Sequence, residues 1–155
     1  MLDQYQDVFA SLRSRGVEYV VIGGIAAILH GVPRTTFGLD ILIEATPENA
    51  EKLLAALSDA SLGTAAMTDA ADILAHEITV FEDRIRIDVQ TSTPGLEYSV
   101  ARNHRVPMNF RGVEFFVVSR ADLIASKRAA GRTIDLQDVH LLEGDIPGDQ
   151  PAEEQ

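Results

Sequence analysis

The segment from Gly23 to Glu44 constrains the fold of this chain more than any other part of its sequence. An apolar run, "VEYVVI", ends in the pair Gly23-Gly24, and the helical segment "IAAILHG" follows. The next run, "LDILIE", alternates in the manner of a β-strand and carries Asp40 inside an apolar stretch. We therefore predict a buried strand, a glycine turn, a short helix and a second strand here.

The sequence on both sides of this segment predicts further helices. Residues 3–15 carry apolar side chains at helical spacing, and Thr46-Pro47-Glu48 is typical of a helix start. Residues 61–75 are Ala-rich and give no clear pattern. The alternation of helices and strands predicts an α/β or α+β domain with a mixed β-sheet flanked by helices.

The second half of the chain predicts two hairpins and two C-terminal helices. The hairpins turn at Asp83 and at Arg111-Gly112. Ser119 begins the first helix, "LIASKRAAG", through a capping box with Asp122. The last helix, "DLQDVHLLE", is predicted to direct three apolar side chains inward: Leu136, Val139 and Leu142.

Length and charge limit the classes of function. The 155 residues suit one domain, which we place at residues 1–143, followed by an acidic and disordered tail at residues 144–155. No apolar run is long enough to cross a bilayer and the N-terminus does not resemble a signal peptide, so a cytoplasmic location is expected. The net charge of −11 disfavours binding of extended nucleic acids, although a local patch could hold one nucleotide.

Two carboxylates interrupt apolar strands and are the strongest candidates for chemistry. Asp40 lies in "LDILIE" and Asp88 in "RIRIDVQT". If these strands are neighbours, both side chains face one cavity, where they repel each other unless a cation lies between them. Oxygen ligands of this kind suit Mg²⁺. Alternatively, arginines neutralise them: Arg34 for Asp40, and Arg84 or Arg86 for Asp88.

Other residues are candidates for binding a nucleotide. The pair Gly23-Gly24 leaves room for a phosphate to approach the backbone, and Arg34 and Thr36 lie in the following loop. For Lys127 and Arg132 two interpretations stay open: contact with a triphosphate, or a solvated helix face paired with Asp122 and Asp135.

These features together resemble the polymerase-β-type nucleotidyltransferases, in particular their small stand-alone bacterial form, which includes AbiEii-like toxins of toxin–antitoxin systems. The resemblance covers roughly residues 15–143. It includes Gly23-Gly24, the stretch "HGVPRTT", Asp40, Asp88, and "SRADLIASKRAAGRTIDLQDVHLLE" with its Lys127, Arg132, Asp135 and Asp138.

The resemblance implies a nucleotidyltransferase fold and transfer of a nucleoside monophosphate from a nucleoside triphosphate to an acceptor hydroxyl. It implies three carboxylates holding two Mg²⁺, with Asp40 and Asp88 as catalytic metal ligands and a protein partner in the toxin–antitoxin case. It also implies nucleotide-binding roles for a second set: Gly23, Gly24, Arg34, Thr36, Lys127 and Arg132.

The sequence departs from the resembled pattern at one position. The first acid of the family's Asp-x-Asp pair should stand at position 38, where this chain has Gly38. Three interpretations are open. The protein is catalytically inactive and binds a nucleotide or partner; another acid (Glu44, Asp135 or Asp138) substitutes; or position 38 has changed in an otherwise active site. Glu44 lies too far along its strand to substitute, by about 20 Å.

Overall fold

A computed structural model describes residues 1–145, which form a six-stranded mixed sheet with seven α-helices. The strands are β1 (Tyr19–Ile22), β2 (Leu39–Ile43), β3 (Ile78–Glu82), β4 (Arg86–Gln90), β5 (Val106–Phe110) and β6 (Val113–Val117). The helices are α1 (Gln6–Ser14), α2 (Gly23–Leu29), α3 (Pro47–Asp59), α4 (Ala70–Ala75), α5 (Tyr98–His104), α6 (Arg120–Ala130) and α7 (Thr133–His140).

The sheet has the order β3-β4-β2-β1-β6-β5. Both predicted hairpins are present, as the antiparallel pairs β3–β4 and β5–β6. Strand β1 pairs antiparallel with β2 and parallel with β6, and β2 pairs parallel with β4. Two strands separated by more than forty residues in sequence, β2 and β4, are therefore neighbours in the middle of the sheet.

The alternation of side chains along β2 and β4 separates the core from the candidate site. One face carries the apolar side chains Leu39, Ile41, Ile43, Ile87 and Val89, all fully buried. The opposite face carries Asp40 and Asp88 side by side, because Asp40 pairs with Asp88 in the parallel register. The core therefore fixes the strands from one face and leaves the other for the carboxylates.

Several local predictions are confirmed. The side chain of Thr46 accepts a hydrogen bond from the amide of Asn49 at the start of α3, and Ser119 does the same for Asp122 at the start of α6. Gly131 ends α6 in the left-handed conformation (φ +68°). The unassigned residues 61–75 contain a 3₁₀ turn, Gly63–Met67, and α4.

The predicted inward face of α7 is wrong in part. Val139 and Leu142 are buried, but Leu136 is 50% exposed. The helix instead buries two carboxylates, Asp135 and Asp138, because they pair with the buried Lys127 on α6.

Two predictions concern the chain as a whole. Most of the predicted acidic tail, residues 146–155, lies outside the described residues. Within residues 1–145, no helix has both the length and the apolar character needed to cross a membrane.

Candidate functional site

A cavity of about 530 Å³ lies between the sheet and the two C-terminal helices. Its volume is within the usual range for small-molecule sites. All eight residues predicted from the sequence as catalytic or nucleotide-binding line this cavity: Gly23, Gly24, Arg34, Thr36, Asp40, Asp88, Lys127 and Arg132.

Asp40 is the carboxylate without a direct partner. Among the described residues, its side chain makes no hydrogen bond or ion pair, and the suggested pairing with Arg34 is wrong because Arg34 binds Asp138 instead. Burial, and to a smaller extent the charge of Asp88, raises the pKa of Asp40 to about 6, against the attraction of Lys127. A partly desolvated carboxylate beside a second one favours a bound cation.

Asp88 is already paired. The guanidinium of Arg86 donates from Nε to Asp88 Oδ1 at 2.9 Å and from Nη2 to Oδ2 at 3.4 Å. The alternative that an arginine neutralises Asp88 is therefore confirmed for Arg86. It is wrong for Arg84, which donates to the carbonyl oxygen of Ala60.

The glycine pair is required by the close approach of other side chains. Gly23 has φ +69°, and a Cβ at this position would lie 2.3 Å from Asp40 Oδ2. A Cβ at Gly24 would lie 2.7 Å from Thr36 Oγ1. The absence of side chains at this turn therefore allows Asp40 and Thr36 to stand at the wall of the cavity.

Gly38 lies just before β2 and opposite Arg86. A Cβ at position 38 would lie 3.2 Å from the carbonyl oxygen of Arg86 and 3.4 Å from its Cγ. Such contacts are tight but leave room for a small adjustment. An acid at this position would face the same side of the sheet as Asp40.

A buried ionic network forms the wall of the cavity opposite the sheet. Lys127 Nζ lies 2.9 Å from Asp138 Oδ2 and 3.6 Å from Asp135 Oδ1. Arg34 Nη1 donates to Asp138 Oδ2 at 2.6 Å, and Arg132 Nε donates to Asp135 Oδ2 at 2.6 Å. Although burial opposes it, the hydrogen bond from Arg132 lowers the pKa of Asp135. The two acids of α7 therefore hold the three cations of the cavity in place.

Of the two open interpretations of Lys127 and Arg132, contact with a triphosphate stays a prediction, and the solvated helix face paired with Asp122 and Asp135 is right only in part. Lys127 is 6% exposed and so does not lie on a solvated face, whereas the Arg132 side chain is 74% exposed and pairs with Asp135 as suggested. Asp122 instead contacts His104.

The acids considered as substitutes for position 38 are either paired with cations or lie at another cavity. Asp135 and Asp138 are held by the cations of the network. Glu44 lines a separate cavity together with Glu18 and Arg102. Within residues 1–145, no group of three acidic, histidine or cysteine side chains is placed to hold a metal ion.

Sequence reasoning missed several residues of the cavity wall. Gln90 follows Asp88 by two positions on β4 and shares its face, which was a usable signal. Ile78, Ser126 and Ile134 also line the cavity, but their positions depend on how β3, α6 and α7 pack, which no local pattern indicates.

Comparison with known proteins identifies the family. Residues 2–144 match the family described as "Nucleotidyltransferase of unknown function (DUF6036)". The chain belongs to this family. The superfamily that the sequence resembles is thereby confirmed. No curated protein matches the sequence.

Solved structures agree with the nucleotidyltransferase fold. The chain is similar to the crystal structure of a protein from Thermotoga maritima that is provisionally named a nucleotidyltransferase. The two share 15% sequence identity and superpose with a TM-score of 0.56, over 92% of this chain and 89% of that one. It is also similar to an antigenic nucleotidyltransferase-like protein from Paracoccidioides brasiliensis, at 15% identity and a TM-score of 0.51, covering 90% and 75%. The predicted fold class is therefore confirmed.

Proposed function

We propose that this nucleotidyltransferase-family protein binds a nucleoside triphosphate together with one Mg²⁺, and that it transfers the nucleoside monophosphate to an acceptor hydroxyl weakly or not at all. One observation carries the proposal: Asp40 and Asp88 stand side by side in a cavity that also contains cationic side chains, and within residues 1–145 no third acidic, histidine or cysteine side chain is placed to hold a metal ion with them.

The charges of the cavity support a requirement for a divalent cation. Three cations line it, Arg34, Lys127 and Arg132, but each is paired with an acid of α7. The remaining acids, Asp40 and Asp88, are offset by Arg86 and by the one positive charge that these three cations leave over the two acids of α7. A triphosphate entering this nearly neutral cavity would meet two carboxylates, so additional positive charge is needed.

The donor set fits one Mg²⁺ better than two. Mg²⁺ in phosphate-binding sites commonly takes one or two carboxylates and completes its shell with water and substrate phosphates. Asp40 and Asp88 would supply those two carboxylates. When bound, the ion would neutralise phosphate charge beside them. A second ion would lack its own protein ligand because Gly38 has no side chain.

The chain's own residues would then hold the phosphates. Arg132 is the most exposed cation of the cavity and is free to turn its remaining donors toward an anion. Lys127 and Arg34 are held by Asp138, which fixes their positions. Gly23, Gly24 and Thr36 form the wall next to Asp40, where the side chains of Asp40 and Thr36 fill the space over the two glycines.

Titration calorimetry with ATP tests the binding proposal. We expect binding in the presence of Mg²⁺, loss of binding with EDTA, and loss of binding in Asp40→Asn. Asp59→Asn is the matched control, since Asp59 pairs with Arg15 at the surface and neither residue lines the cavity. Absence of binding at millimolar ATP and Mg²⁺ would refute the proposal.

Transfer is tested separately with labelled triphosphates and candidate acceptor hydroxyls. We expect Gly38→Asp to transfer more label than the natural chain. If Asp40→Asn abolishes a clear transfer by the natural chain, the protein is an active enzyme despite Gly38, and the proposal of weak catalysis is wrong.

A second candidate function is a catalytically inactive module that binds a protein partner, as in the AbiEii-like toxin–antitoxin group of bacteria that the sequence resembles. One observation favours it: two apolar side chains of α7 are exposed, Ile134 by 41% at the cavity and Leu136 by 50% outside its lining. This candidate gains if neither the natural chain nor Gly38→Asp binds ATP or transfers label.

A further inference from the structure

Arg86 lies between two acids at the edge of the candidate site. Its guanidinium makes two hydrogen bonds to Asp88, and Nη1 lies 3.7 Å from Glu82 Oε2. The Arg86 side chain is 47% exposed, so it can move without disturbing the core. Asp88 is one of the two carboxylates that the proposed cation would bridge, and Arg86 already occupies it.

Gly38 lies directly beside Arg86 on the neighbouring strand. The parallel register places Leu39 beside Ile87 and Asp40 beside Asp88, so Gly38 falls beside Arg86. A side chain at 38 would begin within 3.5 Å of the Arg86 Cβ and Cγ. The Arg86 side chain therefore lies directly against position 38, where this chain has no side chain.

We propose that Arg86 competes with a divalent cation for Asp88 and thereby sets the cation affinity of the Asp40–Asp88 pair. When a cation binds, the guanidinium leaves Asp88 and Glu82 is the acid within reach to receive it. This inference rests on the proposed function in taking the Asp40–Asp88 pair as the cation site.

A consequence follows for the repair of position 38. In Gly38→Asp, the new carboxylate would stand next to Arg86 and would itself attract the guanidinium. Adding the acid alone therefore yields only part of the cation affinity that three free carboxylates would give. Removing the arginine at the same time frees three carboxylates on one face of the sheet.

Mn²⁺ binding without nucleotide, followed by the electron paramagnetic resonance signal of free Mn²⁺, tests this inference. We expect Arg86→Gln to bind Mn²⁺ about fivefold more tightly than the natural chain, in keeping with an exposed ion pair. Arg84→Gln is the matched control, since it removes the same charge two residues away without touching Asp88. Thermal melts establish that each variant is folded.

The double variant gives the sharper readout. Gly38→Asp with Arg86→Gln should gain more affinity for Mn²⁺ than the two single variants together. Equal Mn²⁺ affinity in Arg86→Gln and the natural chain, or an equal gain in Arg84→Gln, would overturn the inference. ATP calorimetry on the natural chain reports separately on the proposed function, so a failure of nucleotide binding is distinguishable from a failure of the Arg86 inference.

Discussion

The ionised form of Asp40 is electrostatically unfavourable in the folded protein. Its pKa is raised from 3.8 to about 6, chiefly by burial and then by Asp88. A carboxyl whose pKa is raised in the folded state contributes stability that is complete below pH 3.8 and is lost as the pH rises through 6. Ionised Asp40 therefore destabilises the fold at neutral pH, as expected for a group placed for binding rather than for stability.

Replacing Asp40 by asparagine should stabilise the protein at neutral pH. We expect the free energy of unfolding of Asp40→Asn to exceed that of the natural chain by about 1–3 kcal/mol at pH 7.5 and to approach it at pH 4. Urea denaturation at both pH values measures this. A less stable variant at pH 7.5 would show that ionised Asp40 has a favourable partner.

Gly23 is needed for two reasons, its positive φ and the close approach of Asp40. A pair of variants tests the two reasons separately. Gly16→Ala carries only the strain of a positive φ (+66°), since nothing lies within 4 Å of its Cβ, and should cost about 1 kcal/mol. Gly23→Ala has the same strain (φ +69°) and must also displace Asp40. We expect it to be the less stable variant by denaturation and to lose Mg²⁺-ATP binding, which Gly16→Ala should keep.

At the residue scale, the sequence identified the acids and narrowed the partner of Asp88 to Arg84 or Arg86, but it did not choose between these two and it assigned Arg34 to the wrong acid. Asp40 and Asp88 stood out because each interrupts an apolar strand, a local signal. That Arg86 pairs with Asp88 while Arg34 crosses to Asp138 depends on the conformations of long side chains and on α7. The spacing of residues in the sequence does not predict which arginine pairs with which acid.

At the element scale, α6 and α7 depend on a buried ionic network. Asp138 is 1% exposed and receives both Arg34 and Lys127. Removing one partner of a buried network leaves uncompensated charge. We therefore expect Asp138→Asn to lower the free energy of unfolding by about 3 kcal/mol.

Asp59→Asn is the control for this prediction. Its ion pair with Arg15 has the same 2.6 Å separation as Arg34–Asp138 but lies at the surface. Exposed pairs contribute little, so its denaturation midpoint should barely change. Equal losses in the two variants would contradict the view that burial makes the Asp138 network important.

Helix α7 is an element whose presence the sequence predicted but whose orientation it did not. Its existence and the Gly131 break before it were predicted, but its apolar pattern misplaced Leu136. The orientation follows from Lys127, a buried cation on α6 that draws Asp135 and Asp138 inward. The apolar pattern of one helix does not indicate that the neighbouring helix carries a buried charge.

At the scale of the whole molecule, the sheet order creates the site. The hairpins followed from local turns, but the neighbourhood of β1, β2 and β4 did not, because it joins segments far apart in sequence. Without that order, Asp40 and Asp88 are two isolated acids. The resemblance to a known family supplied the arrangement that periodicity alone left open.

Net charge should restrict the ligand to a small one. The chain has 24 acids against 13 Lys and Arg, and the cations of the cavity are paired with acids. A long polyanion gains affinity from many unpaired cations along its length, which this arrangement does not offer, whereas one nucleotide needs only the cavity.

Competition experiments test this restriction. We expect inorganic triphosphate to displace a fluorescent ATP analogue in the presence of Mg²⁺, while a 20-nucleotide single-stranded RNA has no effect at about 150 mM salt, where long-range attraction is largely screened. Displacement by RNA at micromolar concentration, weakening as salt is raised, would mean that a surface outside the cavity concentrates positive charge. The acceptor would then be sought among nucleic acids, whereas the expected result directs the search to small molecules and protein hydroxyls.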